Sequence, residues 1–290
     1  MPELPEVETL KLGLKRYMVG HKILKVEVRD RKVLQGDEKD LIGAKVRDVR
    51  RFAKVLAIDL SNNVSIVVHV KLTGQLIYRG PNLKSPPPLS RKVLGLGDRH
   101  THVIFKLDRD GVLYYNDVRR FGWIKVLKTN QVADLDFIKK LGPEPLVDST
   151  GSPQARLTFS KFKEILAKYK TAIKVVLMDQ EKIGGIGNIY ANDALWLSKI
   201  HPKTPANKLD DKKQKDLYEA VLTVLKSGIK YGGASELAFV TSEGTEGTYQ
   251  RHFLAYGQQG KLCPRCKKSK FVKTVLGGRG TYYCPTCQES

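Results

Sequence analysis

The chain has 290 residues, enough for two or three domains with separate cores. Lys and Arg number 51 against 30 Asp and Glu, a formal charge of +21, while 41% of residues are hydrophobic. Such a field draws polyanions, so nucleic acid is the expected partner, and no stretch approaches the roughly 20 apolar residues of a membrane helix.

The opening MPELPEVETL lacks the basic and apolar regions of a secretory signal, which points to the cytoplasm. Val7, Leu10, Leu14, Tyr17 and Met18 then recur at helical spacing, and Gly20 supplies a stop. Strand patterns follow. Val64, Ile66, Val68 and Val70 alternate along one run, and shorter apolar runs lie at 23–28, 46–60, 102–107, 112–115 and 123–127. Their close spacing, with turn residues such as Asp110-Gly111 between them, predicts an antiparallel β-sandwich. Residues 81–90, with three consecutive prolines, predict a surface loop.

After Leu141-Gly142-Pro143 the patterns turn helical, through Phe162, Ile165 and Leu166, then Ile173, Val176 and Leu177, then Leu217, Val221, Leu222 and Leu225. Residues 234–249 are polar and glycine-bearing and predict a mobile loop. The expected fold is α+β and multidomain. An N-terminal antiparallel β-sandwich flanked by helices spans 1–142, a helical domain spans 143–235, and a loop with a four-cysteine finger spans 236–290.

All four cysteines lie in the last 28 residues, as Cys263-x2-Cys266 and Cys284-x2-Cys287 with 17 residues between. Two such knuckles predict one tetrahedral zinc, structural because four protein ligands leave no open position. Apolar runs at 271–276 and 281–283 flank Gly277-Gly278-Arg279-Gly280 and predict a hairpin with Arg279 near its tip. Residues 261–281 hold seven Lys or Arg and no acid, a surface fit for phosphates or simply for solvent. Upstream, Gly184-Gly185-Ile186-Gly187-Asn188 forms a glycine-rich turn into a helix, where backbone donors favour an anion. Asn188 suits a phosphate contact or a helix cap, and the two roles are compatible.

Met1 to Glu8 carries Glu3, Glu6 and Glu8 and no base. Acid at the tip of a basic chain repels phosphate, so it fits chemistry better than passive binding. A small second residue, Pro2, permits removal of Met1 and leaves a secondary amine. An α-amino group titrates near 7.7–8.0 and has a neutral, nucleophilic fraction at physiological pH. The same composition also suits a plain helix start.

Read in order, Pro2-Glu3-Leu4-Pro5-Glu6-Val7-Glu8, Arg51-Phe52-Ala53-Lys54, His69-Val70-Lys71-Leu72-Thr73-Gly74, Asn116-Asp117-Val118-Arg119-Arg120-Phe121-Gly122, Ile186-Gly187-Asn188-Ile189-Tyr190 and the four-cysteine finger with Gly278-Arg279 span nearly the whole chain. Together they resemble the formamidopyrimidine-DNA glycosylase family. The resemblance implies a bacterial, monomeric, nucleoid-associated enzyme on double-stranded DNA with oxidised or abasic sites. It excises oxidised purines through an iminium and nicks the strand by β,δ-elimination.

The resemblance further implies Pro2 as nucleophile, Glu3 as acid or base, Glu6 as supporting carboxylate, and Lys54 as a contact to phosphate near the damaged base. Asn188 and Arg279 grip the backbone in the helix-two-turns-helix and the finger, Arg279 counting among the catalytic group as well. Leu72, Arg119 and Phe121 fill the gap left by the extruded base. His69 is either a phosphate contact or a buried strand residue. DNA is expected between the domains, and residues 234–249 are expected to cover the base. Leu72 stands where many family members carry Met, and the loop near 81–97 is longer and richer in proline than the family pattern. Two rivals are an endonuclease VIII-like enzyme for oxidised pyrimidines and a non-catalytic zinc-finger DNA-binding protein.

Overall fold

The computed structural model describes residues 1–146 and 156–289. Packing groups Met1–Lys139 with Gly228–Gln250 in one unit, and 140–146, 156–227 and 251–289 in another.

The first unit opens with α1 (Leu4–Met18), whose apolar stripe predicted it. Nine strands follow: β1 (Ile23–Val28), β2 (Leu34–Gln35), β3 (Val46–Phe52), β4 (Val55–Leu60), β5 (Val64–His69), β6 (Gly74–Arg79), β7 (Thr101–Leu107), β8 (Val112–Asp117) and β9 (Trp123–Lys128), then a short α2 (Asp136–Lys139). They form two sheets, ordered β1-β7-β8-β6 and β2-β9-β5-β4-β3. The sheets share one core: Val49, Leu56, Ile58, Ile66 and Val68 meet Leu76, Val103, Phe105, Leu113 and Tyr115, with Val7, Leu10 and Leu14 of α1 beside them. The sandwich is as expected.

Two features depart from the sequence reading. The β2–β9 pair is parallel, a two-residue edge in which Leu34 pairs with Ile124. β6 showed no alternating signal because Gly74 through Tyr78 are all buried. One face of β6 lines the core, and the strand is also met by residues 234–249, with the Tyr78 amide donating to the Ser242 carbonyl at 2.8 Å. Burial on both sides erases the period of two.

The second unit holds α3 (Phe159–Ala167), α4 (Ile173–Met178), α5 (Asn188–Leu197) and most of α6 (Asp211–Lys230), then β10 (Val272–Leu276) and β11 (Arg279–Tyr283). Residues Ile189 through Trp196 of α5 are all buried, the mark of a helix wrapped by its own unit. In the β10–β11 hairpin Leu276 pairs with Arg279, so the turn is Gly277-Gly278 alone. Their φ values of +57° and +70° suit a type I′ turn, which matches strand twist and favours glycine. Arg279 therefore opens β11 at the rim of the tip, exposed to solvent.

Candidate active site and nucleic-acid interface

Glu3 caps α1, and Glu6 three residues on completes a capping box. Glu6 does more than cap. Its Oε2 accepts the Glu3 amide at 2.8 Å, and its Oε1 accepts the Ala234 amide at 2.7 Å. The chain passes that close because residue 233 is glycine, at φ +81°. A Cβ there would stand 2.9 Å from Cγ of Glu6. Pro2, Glu3 and Glu6 are all buried. The helix-start reading is met by Glu3 and Glu6.

The terminal amine, carried here by Met1, lies among Glu3, Glu6, Lys54 and Glu236. Burial pushes it below its ordinary value, Lys54 adds to that, and the three carboxylates oppose it. Lys54 sits in the β3–β4 turn after Ala53, whose φ is +51°. Glu8, third of the acidic cluster, is held in ion pairs. Its Oε2 accepts from Arg51 Nε at 2.7 Å and its Oε1 pairs with Lys11 Nζ at 2.6 Å, all three groups buried. The excess of acid at the tip is partly a structural ion network, which the sequence alone did not reveal.

His69 ends β5. Its ring packs edge-on against Trp123, and Nδ1 accepts the Lys71 amide at 3.1 Å. Burial, with Lys71 and Lys54 nearby, pushes its imidazole down to about 3, so it is neutral at physiological pH.

One buried carboxylate organises the remaining candidates of the first unit. Asp117 Oδ1 accepts from the Thr73 hydroxyl and from the Arg119 amide, the latter at 3.2 Å, while Oδ2 accepts the Gly122 amide at 2.8 Å. The Arg119 amide also donates to Thr73 Oγ1 at 3.1 Å. The loop carrying Leu72 and the loop carrying Arg119 and Phe121 are thereby joined. Phe121 is 55% exposed, with the Arg119 guanidinium 4.4 Å from its ring centroid. An aromatic this exposed is not core. Leu72 is half-buried. Sequence pattern does not signal this role for Asp117, because one of its partners, Thr73, lies 44 positions away.

In the second unit α4 and α5 are joined by two turns stitched by Gln180. Its side chain donates to the Met178 and Ile186 carbonyls at 2.8 Å each and accepts the Gly185 amide at 2.9 Å. The cap of α5 is Gly187, and Asn188 is the first helical residue. That corrects the capping alternative for Asn188. Its carbonyl and Oδ1 instead accept from Asn192 Nδ2, at 2.6 and 3.2 Å. Asn192 Oδ1 accepts the Tyr282 amide at 2.8 Å, and buried Lys174 donates to the Gly280 carbonyl and Thr281 Oγ1, both at 2.8 Å. These bonds tie the hairpin bearing Arg279 to α4 through Lys174 and to α5, which bears Asn188, through Asn192. Neither Lys174 nor Asn192 was singled out from sequence, because their partners lie about 90–107 positions away.

Cys263, Cys266, Cys284 and Cys287 bring their four sulfurs within 4.8 Å of one another, and none is in a disulfide. Tetrahedral thiolates about 2.3 Å from zinc stand about 3.8 Å apart. The Cys263–Cys287 and Cys266–Cys284 sulfurs are at 3.8 and 3.6 Å, so the donor set fits one zinc ion. The site is fastened to α5 through Arg265, which donates to the Trp196 and Leu197 carbonyls at 2.7 and 3.1 Å and stacks on the Trp196 ring. No helix among the described residues is long and apolar enough to cross a membrane.

Residues 1–124 match the family model described as the formamidopyrimidine-DNA glycosylase N-terminal domain, 141–239 the H2TH domain of the same glycosylase, and 260–289 the zinc finger found in FPG and IleRS. Fold and site together define a DNA glycosylase of the helix-two-turns-helix class with a four-cysteine finger. Curated formamidopyrimidine-DNA glycosylases of Streptococcus thermophilus and Pelotomaculum thermopropionicum are 35% and 37% identical. Those alignments cover all of this chain and 100% and 99% of the relatives. The chain belongs to the formamidopyrimidine-DNA glycosylase family. Among solved structures, Lactococcus lactis Fpg with abasic-site DNA aligns at TM-score 0.84 and 31% identity, over 99% of this chain and 100% of that one. The same protein with N7-benzyl-Fapy-dG DNA aligns at 0.85 and 31%, over both whole chains.

Proposed function

We propose that the chain is a bifunctional glycosylase and abasic-site lyase of base excision repair, acting on oxidised purines in double-stranded DNA. The observation that carries the reading is the burial of Pro2 with Glu3 and Glu6 at the start of α1, where the amine of Met1 lies among Glu3, Glu6 and Lys54 and burial pushes it below its ordinary value. An amine kept partly neutral at physiological pH is a nucleophile.

After loss of Met1 the nucleophile is the ring nitrogen of Pro2. It bonds to C1′ of the deoxyribose as the C1′–base bond breaks, the base leaving with the bonding pair and taking up a proton in exchange for the one the ring nitrogen loses. Glu3 hands a proton to the ring oxygen, and the sugar opens to an iminium. A secondary amine gives an iminium with no N–H to lose, so the cation persists as an electron sink. Loss of a C2′ proton then expels the 3′ phosphate, and a second elimination expels the 5′ phosphate. Glu6 holds the Glu3 backbone and the start of the 234–249 segment in register. Lys54 draws in phosphate, and its charge lowers the amine's affinity for a proton.

Leu72, Arg119 and Phe121 replace the extruded nucleotide, the two loops moving as one body through Asp117. Asn188 and Arg279 grip phosphates, and zinc on the four cysteines supplies rigidity to the hairpin rather than chemistry. His69, neutral at physiological pH, offers its Nε2 as a donor to phosphate only while Nδ1 accepts from Lys71. The chain is read as a monomer of the bacterial cytoplasm, associated with the nucleoid. A solved complex of Lactococcus lactis Fpg with DNA containing an oxidised pyrimidine aligns at 32% identity and keeps that lesion class as a second reading.

Borohydride reduction tests the mechanism. The processed protein mixed with an 8-oxoguanine duplex is expected to give a covalent adduct, and a Pro2→Gly variant to bind DNA yet give at least about a hundredfold less. Absence of any wild-type adduct overturns the enzyme reading in favour of passive binding. A thymine glycol duplex in parallel ranks the two lesion classes.

A further inference from the structure

Residues 80–100, between β6 and β7, contain neither helix nor strand, and 86–88 are prolines. This strap runs beside the segment 234–249, within the same unit, and three kinds of contact join them. The Ser90 amide donates to the Gly244 carbonyl at 2.8 Å, and its hydroxyl to Glu246 Oε1 at 2.6 Å. Lys92 Nζ donates to Glu246 Oε2 at 2.7 Å and also to the Ser235 carbonyl. Val93 packs with Val240 and Ile77, with Leu96 against them. The segment read from sequence as mobile is therefore docked, its polar residues being used as partners rather than left to water.

The pattern of anchors singles out one short stretch. Ser235 is held through its carbonyl by Lys92, and Ala238 is held through its carbonyl by Gln75 Nε2 at 2.7 Å. The same Gln75 nitrogen donates to the Lys92 carbonyl at 2.9 Å, so the Lys92 main chain adjoins the Ala238 anchor while its side chain holds the Ser235 flank. Between them Glu236 and Leu237 are exposed, Leu237 at 57%. This two-residue tip lies next to the reacting amine. Ala234, two residues before Glu236, donates to Glu6, and the Glu236 carboxylate acts on the amine itself.

We infer that the proline-rich strap is a brace for the base-covering segment, and that Lys92 is a positioning residue that fixes where the Glu236–Leu237 tip stands over an extruded oxidised base. The inference rests on the glycosylase reading above. Its physical content is that a tip held from both sides meets the base without first being ordered, which removes an entropic barrier from excision. An abasic nucleotide has no base to meet the tip, so trapping on abasic DNA feels the brace only through the Glu236 charge near the amine, the last of the four charges acting on it.

The experiment compares wild type, Lys92→Met and Lys92→Arg in single-turnover reactions. One substrate is an 8-oxoguanine duplex, scored by base release, and the other a preformed abasic duplex, scored by borohydride trapping. Lys92→Met is expected to slow base release about tenfold, while trapping on abasic DNA stays within about twofold of wild type. Lys92→Arg, which keeps two donors, is expected to restore most of the loss. Unchanged base release in Lys92→Met overturns the inference. So does an equal loss on both substrates with a lowered Tm, which marks a merely structural role, and so does an Arg variant as slow as Met. A wild-type protein that traps on neither substrate removes the amine mechanism itself, an outcome distinct from all of these.

Discussion

The charges around the terminal amine pull in opposite directions, and each can be removed separately. Taking away a carboxylate lowers the amine's affinity for a proton, and taking away Lys54 raises it. The acid limb of the pH–rate profile for trapping on abasic DNA is therefore expected to move to lower pH in Glu236→Gln and to higher pH in Lys54→Met. A profile that moves the same way in both ends the electrostatic account. His69 gives a second pH effect, on stability. The unfolded histidine takes a proton near 6.5, whereas the folded one resists until about 3. Between those values the unfolded state binds more protons, so stability falls as the pH drops, by up to about 1.4 kcal/mol per pH unit. Denaturant unfolding at pH 7 and pH 5 is expected to show a smaller fall for His69→Gln than for wild type. At this scale the sequence exposed Pro2, Glu3 and Glu6 because they sit together in six residues. Asp117, Lys174 and Lys92 stayed hidden, since each is defined by partners far along the chain.

Elements were legible in proportion to how one-sided their burial is. α1 and β5 present one apolar face and were read from periodicity, whereas β6 is covered by both the core and the 234–249 segment and left no period to read. The finger was legible for a different reason, since metal coordination fixes its spacing chemically. A two-stranded sheet such as β10–β11 is marginal alone, so its order depends on zinc and on the bonds from Lys174 and Asn192. Removing zinc with a strong chelator is expected to weaken DNA binding at least about tenfold through loss of the Arg279 placement, and added zinc to restore it. Apoprotein that binds as tightly as the zinc-loaded protein contradicts that dependence.

Over the whole molecule, the charge of +21 is what the composition declared first, and it governs association more than chemistry. Some of the 51 basic side chains are paired internally, Arg51 and Lys11 on Glu8 and Arg50 on Asp59. Arg279, by contrast, is exposed at the hairpin rim. If about five phosphates are neutralised on binding, log K is expected to fall against log salt with a slope near −4.5, a loss of about 500-fold between 50 and 200 mM. The two proposed gripping residues of the second unit then separate by charge. Arg279→Ala is expected to reduce the slope by about one, because one fewer counterion is released. Asn188→Ala removes a neutral donor, so affinity is expected to drop at every salt concentration while the slope stays unchanged. Titrations of all three proteins on one duplex decide the matter: a flat salt response removes the phosphate-dominated interface, and a slope change in the asparagine variant removes the division of labour between the two residues.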